Sequence, residues 1–333
     1  MQSNDLNPTS LKMARGAEQK TRYWPWLASL AVLAVVPFGV YPTFAMELMC
    51  FALFACAFNL LLGFGGLLSF GHACFFGTAA YLTGHAIKVW GLTPELGILF
   101  GTACAAVLGV LIGVIAIRRQ GIYFAMVTLA LAQLVFFACL QAPFTGGEDG
   151  LQGIPKGRFL GLIDLSHTVQ FGERELPLAL YFFVLAITFG GYWLIWRTVN
   201  SPFGKVLKAI RENEARALSL GYRVDRYKLA AFVMSATLAG LAGATKTLVV
   251  GLASLSDVHW HMSGEVVLMT LLGGMGTLLG PVVGAVTVGV LHHELASLGS
   301  WVTVTIGGVF VVCVMLFRRG IVGEIAHRLR RTI

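Results

Sequence analysis

Long apolar blocks recur along this 333-residue chain, and they limit what it can fold into. A helix that crosses a membrane needs about 20 consecutive apolar residues, and blocks of roughly that length follow one another as far as residue 317. Charged residues make up 12% of the chain, against about 25% in a typical soluble domain. The sequence therefore predicts an all-α polytopic membrane protein and excludes a soluble one.

The boundaries of the apolar blocks predict about ten transmembrane helices. Three of them lie between residues 251 and 317, separated by breaks near 279–281 and 297–300. Eight is the alternative count, if a glycine-rich segment enters the membrane without crossing it. The other seven lie before residue 251, at 25–41, 44–62, within 63–84, and at 95–117, 121–141, 177–196 and 228–250.

Basic residues at the edges of the blocks predict the orientation, because cytosolic loops carry an excess of Lys and Arg. Residues 1–22 are expected to form a cytosolic tail, 23–317 a membrane domain and 318–333 a basic cytosolic tail. Within the membrane domain, the slightly acidic loop 142–176 is placed outside the cell and the basic segment 198–227 in the cytosol. The net charge of +8 thus serves topology and does not indicate binding to nucleic acid.

The basic segment has the pattern of an amphipathic helix. Ser201 is a favoured N-cap, Pro202 suits the first helical position, and Gly221 offers a C-terminal stop. Apolar residues between them recur at helical spacing, which predicts one helix of about five turns between two spans. The residues leave two interpretations open: a helix lying on anionic lipid, or a docking surface for a cytosolic partner.

Two glycine-rich interruptions occur in the two halves of the chain. Unwound backbone at membrane depth is tolerated only where it is buried in protein or lines a water-filled path, and paired breaks are typical of a transporter's central site. The alternative is that these glycines only allow close packing of helices. The first set is Gly63, Gly65, Gly66 and Gly71, and the second is Gly273, Gly274, Gly276, Gly280 and Gly284.

Ionisable residues within the apolar blocks are candidates for function, because a charge at bilayer depth is costly unless it is paired or hydrated. His72, directly after Ser69-Phe70-Gly71, and Glu265 could line a pathway or could make a helix–helix hydrogen bond. Lys246 is expected to extend its stem toward the interface. Neither Lys246 nor Glu47 is assigned a role in transport.

Signatures of catalysis are missing from the sequence. It has no GxxxxGK[ST] phosphate loop, and His292-His293-Glu294 lacks the HExxH spacing of a zinc site. The six cysteines show no metal-like spacing. We therefore expect neither an enzyme nor a bound metal or cofactor.

Five segments of the chain form a combined pattern: GFGGLLSFGHACFFGTAAY (63–81), TGGEDGLQGIP (145–155), SPFGKVLKAIRENEARALSLGY (201–222), YKLAAFVMSATLAGLAGA (227–244) and EVVLMTLLGGMGTLLGP (265–281). Taken together and in this order, they resemble the branched-chain amino acid ABC transporter permeases of the Liv type, specifically the longer of the two paired permeases.

This resemblance implies that segment 198–227 couples the chain to an ATPase. Such permeases carry a degenerate EAA-type signature on a cytosolic helix that seats in a groove of the ATPase subunit. Glu214, Ala215 and Gly221 match it, and with Lys208, Arg211 and Arg216 they form the expected coupling surface. The resemblance thus favours docking over lipid binding.

The resemblance also implies a location and a set of partners. It places the chain in the bacterial inner membrane with two cytosolic ATPase subunits that use the ATP, a second homologous permease and an extracytoplasmic solute-binding protein. The expected function is ATP-driven import of branched-chain or related small amino acids. The residues expected along the pathway are Ser69, Gly71, His72, Glu265, Gly273, Gly274 and Gly276.

The sequence departs from the family pattern at two places that bear on the solute. Leu67 stands where many members have Gln, and the loop reads TGGEDG where many have a less acidic variant. Relatives carry urea or short amides, so a permease for such solutes is one alternative. A second is a stand-alone secondary transporter that uses His72 and Glu265 as a proton relay, and a third is an intramembrane enzyme, which no residue spacing supports.

Overall fold

The computed structural model describes residues 37, 41–159, 161, 163–171, 174–295, 299, 301–316 and 320–328. The N-terminal tail and nearly all of the first predicted span, 25–41, lie outside these residues. The described residues form twelve α-helices: α1 (Pro42–Asn59), α2 (His72–Lys88), α3 (Pro94–Ala116), α4 (Ile122–Gln141), α5 (Leu178–Asn200), α6 (Pro202–Glu212), α7 (Glu214–Ser219), α8 (Val224–Val250), α9 (Trp260–Gly273), α10 (Gly280–Leu295), α11 (Trp301–Leu316) and α12 (Gly320–Arg328).

Five of the described segments are long and apolar enough to cross a membrane: Pro42–Phe64, α3, α4, α5 and α8. The expected count of about ten is therefore not confirmed. The glycine-rich breaks lie at the start of α2, the end of α9 and the start of α10, and these helices have 17, 14 and 16 residues. The described part of α11 has 16 residues. At 1.5 Å per residue, a 14-residue helix rises only about 21 Å, less than the roughly 30 Å of the hydrocarbon core.

Helix α8 lies at the centre of the bundle and packs against α1, α2 and α3. Its small residues allow this, because they let helix backbones approach closely. A Cβ on Gly243 would lie 2.0 Å from the carbonyl oxygen of Phe76 in α2, and one on Gly240 would lie 2.3 Å from the Cβ of Ala105 in α3. The predicted span 228–250 thus becomes the axis around which the other helices are arranged.

The segment between α5 and α8 differs from its prediction in one respect. A single helix of about five turns is wrong, because the chain becomes extended at Asn213 (φ −156°, ψ 99°) and divides into α6 and α7. Asn213 causes the break by acting as a cap, since its side chain accepts a hydrogen bond from the backbone N–H of Arg216 at 2.9 Å.

Both predicted ends of this segment are confirmed. The Ser201 hydroxyl accepts a bond from the backbone N–H of Gly204 at 3.4 Å, and Pro202 begins α6. Gly221 has a φ of +85° and follows α7 in a Schellman arrangement, in which the N–H of Tyr222 bonds to the carbonyl of Ala217 at 3.2 Å.

The loop 142–176 contains strands that the all-α prediction missed. Three two-stranded antiparallel ladders form, of which only β1 (Leu151–Gln152) pairs outside the loop, with β6 (Leu252–Ala253) just after α8. The long loop is therefore attached to the segment that leads into α9. The other ladders pair β2 (Arg158–Phe159) with β3 (Ile163–Asp164) and β4 (Val169–Phe171) with β5 (Arg174–Leu176).

Part of the predicted C-terminal tail 318–333 is helical. Helix α12 packs against α9 and α10, the two short helices on either side of the second glycine-rich break. In the following sections the end of the bundle that carries α6 and α7 is called the coupling end. The opposite end, which carries β1 and β6, is called the loop end.

Candidate functional site

The two glycine-rich interruptions predicted from the sequence meet in space, and Asn59 joins them. Asn59 is the last residue of α1, and its buried side-chain amide donates to the carbonyl oxygen of Thr277 at 2.8 Å. Its Oδ1 accepts from the backbone N–H of Gly276 at 3.0 Å. One side chain thus satisfies two backbone groups of the second break, as buried polar groups require.

The first break begins immediately after Asn59. Residues Leu60–Phe64 form one π-helical turn, and residues 66–70 contain no helix. A Cβ on Gly63 would lie 2.0 Å from Oδ1 of Asn59 and 2.6 Å from the backbone nitrogen of Gly276. Only glycine leaves room for this approach.

Arg211, in the last turn of α6, reaches the same place from the coupling end. Its Nη1 donates a hydrogen bond to the carbonyl oxygen of Gly63. The same nitrogen lies 3.3 Å from the position that a Cβ on Gly276 would take. We call Asn59, Gly63, Arg211, Gly276 and Thr277 the break junction.

The second break, residues 274–279, is also held from within and from α5. The Thr277 hydroxyl donates to the carbonyl of Gly274 at 2.8 Å and accepts from the N–H of Gly280 at 3.0 Å. The Tyr192 hydroxyl of α5 donates to the carbonyl of Leu278 at 3.2 Å. Gly273 allows α9 and α10 to approach, since its Cβ would lie 1.8 Å from the carbonyl oxygen of Gly280.

His72 lies in a separate buried group, at the start of α2. Its Nε2 is 2.7 Å from Oγ of Ser235 in α8, and Ser235 donates to the carbonyl of Ala57 in α1. The aromatic rings of Phe54, Phe58, Phe75 and Phe232 surround the imidazole, with ring centres 5.2–6.5 Å away. We call His72, Ser235 and these rings the His72 cluster. Its geometry fits the helix–helix alternative, and a part in the pathway stays a prediction.

Ser69 and Gly71, also predicted for the pathway, lie beside the His72 cluster. Ser69 is buried, and its hydroxyl accepts from the N–H of Gly71 at 3.3 Å. A Cβ on Gly71 would lie 2.4 Å from the carbonyl oxygen of Thr128 in α4. The stretch between α1 and α2 is therefore packed tightly against neighbouring helices.

Glu265 of α9 has different neighbours from His72. Its carboxylate lies 3.7 Å from Nε2 of His292 in α10, and both side chains are about one-third exposed. The partners found for Glu265 and His72 are thus distinct, which gives no support to a relay between them. Within the described residues, no three His, Cys, Asp or Glu side chains are grouped closely enough to hold a metal ion.

The residues predicted for ATPase coupling divide between two sides of α6 and α7. Glu214 bonds to Lys228 at the start of α8 (2.7 Å) and to Gln120 in the α3–α4 loop (3.1 Å). Lys208 lies 5.1 Å above the Phe64 ring, beside Arg211. The opposite side is exposed and comprises Ala215, Arg216, Leu218, Leu220 and Gly221.

An apolar groove of about 390 Å³ leads along the bundle to the second break. Its polar residues are Thr188 and Tyr192 of α5. Helices α1, α5 and α10 supply most of the lining, which includes Leu53, Cys56, Val282, Val286 and Val290, and Leu279 of the break lines it as well.

The loop end contains a buried ion pair that the sequence did not reveal. Lys246 was expected to extend toward the interface, but its ammonium turns inward and binds Asp257 at 2.5 Å. It also lies over the rings of Phe51 and Phe76, at 5.6 and 5.9 Å. The carboxylate is 1% exposed, so loss of either partner would leave an unpaired buried charge.

His259, at the N-cap of α9, is a titratable group of the loop end whose environment changes its affinity for protons. Burial lowers the pKa of His259 below its usual value, and neighbouring His261 lowers it further. The two imidazole rings stack with centres 5.1 Å apart. These neighbours favour the neutral form of His259.

Asn59, Lys228 and Asp257 were missed by reasoning from the sequence. Asn59 had a visible signal, because it is a lone amide in an apolar block directly before GFGG. Its partner Gly276 is 217 residues away, and no local pattern connects them. The roles of Lys228 and Asp257 likewise depend on ion-pair partners that lie on other helices.

Comparison with known proteins identifies the family of the chain. A family model described as "Branched-chain amino acid transport system / permease component" matches residues 41–317. The chain is 29% identical to the high-affinity branched-chain amino acid transport system permease protein LivM of Escherichia coli (strain K12) over 317 residues, which cover 88% of this chain and 73% of that protein. It is 28% identical to LivM of Salmonella typhimurium (strain LT2) over 316 residues, with the same coverage.

A more distant similarity concerns another import system. The autoinducer 2 import system permease protein LsrC of Enterobacter sp. (strain 638) is 29% identical over 214 residues, which cover 63% of this chain and 58% of that protein. The family model, by contrast, spans well over half of the present chain. The chain therefore belongs to the family of permease components of branched-chain amino acid transport systems.

Proposed function

We propose that this protein is the membrane-spanning subunit of an ATP-driven ABC importer for branched-chain or related small amino acids. It forms the translocation path with a second, homologous permease in the bacterial inner membrane, with both termini in the cytosol. Two cytosolic ATPase subunits bind and hydrolyse the ATP, and an extracytoplasmic binding protein delivers the solute. The chain itself needs no cofactor.

One observation carries the proposal beyond family membership: the arrangement of α6 and α7 at the coupling end. They leave the bundle between α5 and α8, and they expose Ala215, Arg216 and Gly221 on one side. On the other side they contact the first glycine-rich break. A pair of helices with one free face and one face on the broken helices is suited to transmit movement between a partner and a pathway.

The groove along α1, α5 and α10 supports an amino acid with an apolar side chain as the solute. Small-molecule sites are mostly apolar, with a few polar groups that fix orientation. Here aliphatic side chains line the walls, and Thr188 and Tyr192 supply hydroxyl groups. Urea or a short amide would leave most of this lining without a matching surface, so these solutes are the weaker alternative.

The pathway proposed from the sequence remains part of this function. Gly274 and Gly276 belong to the second break and Gly273 is the last residue of α9, and Leu279 of this break lines the groove. Ser69, Gly71, His72 and Glu265 are proposed to act near that path, and the packing around His72 favours a supporting position over direct contact with solute.

The loop end supports a docking place for the binding protein. Pairing of β1 with β6 joins the 142–176 loop to the segment 251–262, so both present one connected surface. The side chain of Lys88 reinforces this link, donating to the carbonyl of Gln152 at 2.6 Å. We propose that the binding protein delivers solute at this end, opposite the ATPases.

Copurification and transport together test the proposal. The chain is expressed with its chromosomal neighbours, extracted in mild detergent and reconstituted in liposomes with the binding protein. We expect two ATPase copies and a second permease to copurify, and labelled leucine to enter only with ATP. A protein that emerges alone and moves solute without ATP would refute the importer and favour a secondary transporter.

Variants of the coupling surface sharpen this test. Gly221→Trp places a large side chain where φ is +85°. Glu214→Lys replaces the ion pair with Lys228 by two positive charges that repel each other. Both changes are expected to abolish uptake and weaken ATPase binding while leaving membrane insertion intact. Normal uptake in both variants would remove α6 and α7 from the coupling role.

A further inference from the structure

Among the basic residues of α6 and α7, Arg211 is distinguished by a side-chain hydrogen bond to the backbone of the first break. Arg211 is exposed as a residue, but its Nη1 turns toward the bundle and donates to the carbonyl of Gly63 in a partly buried hydrogen bond. A Cβ on Gly66 would lie 2.9 Å from its Cγ, so the aliphatic stem lies against the first break. The second break is equally near, since Nη1 is 3.3 Å from the Cβ position of Gly276.

The two breaks behave as one unit at this point because Asn59 binds them together. Asn59 belongs to the helix that leads into the first break, and it holds Gly276 and Thr277 of the second by two hydrogen bonds. A displacement of Gly63 therefore reaches Gly276 without passing through the long chain between them.

Neighbouring residues of α6 give Arg211 a rigid support. Leu207, one turn earlier, is buried, and its Cδ1 lies 3.7 Å from the Cβ position of Gly65. Lys208 lies over the ring of Phe64. The same face of α6 thus meets the first break at successive turns, with Leu207 buried and Arg211 bonded to the backbone of the break.

The chemistry of this contact favours arginine over lysine. The last carbonyls of a helix lack partners within the helix, and a positive charge stabilises that end of the helix dipole. Guanidinium offers five N–H donors in a fixed plane, whereas an ammonium on a flexible stem does not hold a direction. Arginine is therefore able to transmit a displacement as well as to bind.

We propose that Arg211 is the internal link of the coupling helices: it carries the displacement of α6 to both glycine-rich breaks and does not serve as a contact to the ATPase. This inference rests on the proposed function, because it assigns a part of the ATP-driven movement. It makes Arg211 a positioning residue whose loss separates ATP hydrolysis from transport.

The ratio of solute imported to ATP hydrolysed tests the link in the reconstituted complex. In Arg211→Ala we expect the ATPases to copurify and to hydrolyse ATP, while the ratio falls at least about tenfold. Arg211→Lys is expected to restore part of it, because one donor remains for Gly63. Arg223→Ala is the matched control: it removes the same charge from an exposed position at the same end, and the ratio should stay unchanged.

Three outcomes are distinguishable. A normal ratio in Arg211→Ala overturns the inference, and loss of the ATPases from that variant overturns it too, because Arg211 would then be a docking residue. Neither result affects the importer itself. Failure of the unsubstituted chain to bind ATPases or to require ATP refutes the proposed function instead.

A distance measurement distinguishes loss of the link from poor folding of the Arg211→Ala variant. Spin labels are placed at Ala209 on α6 and at exposed Met275 in the second break, through non-canonical residues that leave the six cysteines unchanged. With Arg211 present, the two labels are expected to keep their separation when ATP binds. In Arg211→Ala that separation should change with ATP, and an unchanged separation contradicts the link.

Discussion

The His72 cluster is a buried polar group and the break junction a partly buried one, and the two are built differently. The His72 cluster joins side chains on regular helices and closes them in aromatic rings, with one backbone carbonyl as the final acceptor. In the break junction, Asn59 and Arg211 bond to the backbone of two irregular segments.

This difference predicts that the His72 cluster stays fixed and that the break junction is able to move. A histidine held between complete helices resists displacement, because the surrounding helices would have to unpack. Backbone groups in a break have no helical partner, so their bonds to Asn59 and Arg211 are able to re-form in a second arrangement. A polar residue inside a membrane protein therefore indicates movement when it bonds to irregular backbone, and stability when it bonds between regular helices.

The largest effect is expected from Gly63→Ala. The new methyl group would lie 2.0 Å from Oδ1 of Asn59, so the junction must open. Overpacking of this kind costs about 3 kcal/mol, or roughly a hundredfold in the population of the closed junction. We expect uptake to fall by a similar factor. Gly264→Ala in α9 is the control, since nothing lies within 4 Å of its Cβ position.

Asn59→Leu should have the next largest effect. The side-chain shape is kept, but the carbonyl of Thr277 and the N–H of Gly276 lose their partner. An unsatisfied buried group costs about 1–3 kcal/mol, so we expect uptake to drop roughly tenfold with ATPase binding retained. Asn200→Leu is the control, because its amide bonds only within its own helix. Wild-type uptake in Asn59→Leu would show that the breaks are not joined through this residue.

Glu214→Gln tests whether the junction depends on the position of α7 against α8. The change removes the charge opposite buried Lys228, and Glu214 itself is about one-third exposed. Solvent screens such a pair, so the loss should be about 1 kcal/mol, and uptake should fall only a few-fold. Limited proteolysis of α6 and α7 measures the loosening directly, and an unchanged cleavage rate would contradict it.

His72→Gln is expected to have the smallest effect on transport. Glutamine is still able to bond to Ser235, but it fills the aromatic cage less well. The melting temperature should fall, while the KM for solute stays within about twofold of the wild-type value. Ser235→Ala should show the same pattern. A tenfold change in KM with unchanged stability would place His72 in the pathway and remove the contrast with the break junction.

The sequence predicted those features that depend on local pattern. The spans 177–196 and 228–250 correspond to Leu178–Asn200 and Val224–Val250, because apolar length and flanking charge define them. Ser201 begins and Gly221 ends the helical segment as expected, because capping depends only on residues close in sequence. The break near 273–281 also appears, between α9 and α10.

Features that depend on distant partners were not predictable in this way. The apolar periodicity of the coupling segment continues through Asn213 and predicts one helix. Asn213 nevertheless interrupts it, because its side chain caps the start of α7. Lys246 turns inward because Asp257 is there to receive it. For the site, the sequence identified both glycine sets, but it could not show that Asn59 and Arg211 connect them.

The ion pair at the loop end has a consequence for how the chain is made. Lys246 lies 11 residues before Asp257, and translation adds about 5–20 residues per second. The lysine is therefore synthesised about one second before its carboxylate. Until the two residues pair, its ammonium must find water or lipid headgroups, because an unpaired charge among hydrocarbon costs about 2.5–3.5 kcal/mol on the insertion scale. The last turns of α8 are thus completed only after the next segment has left the ribosome, which makes the order of synthesis part of how this end of the bundle forms.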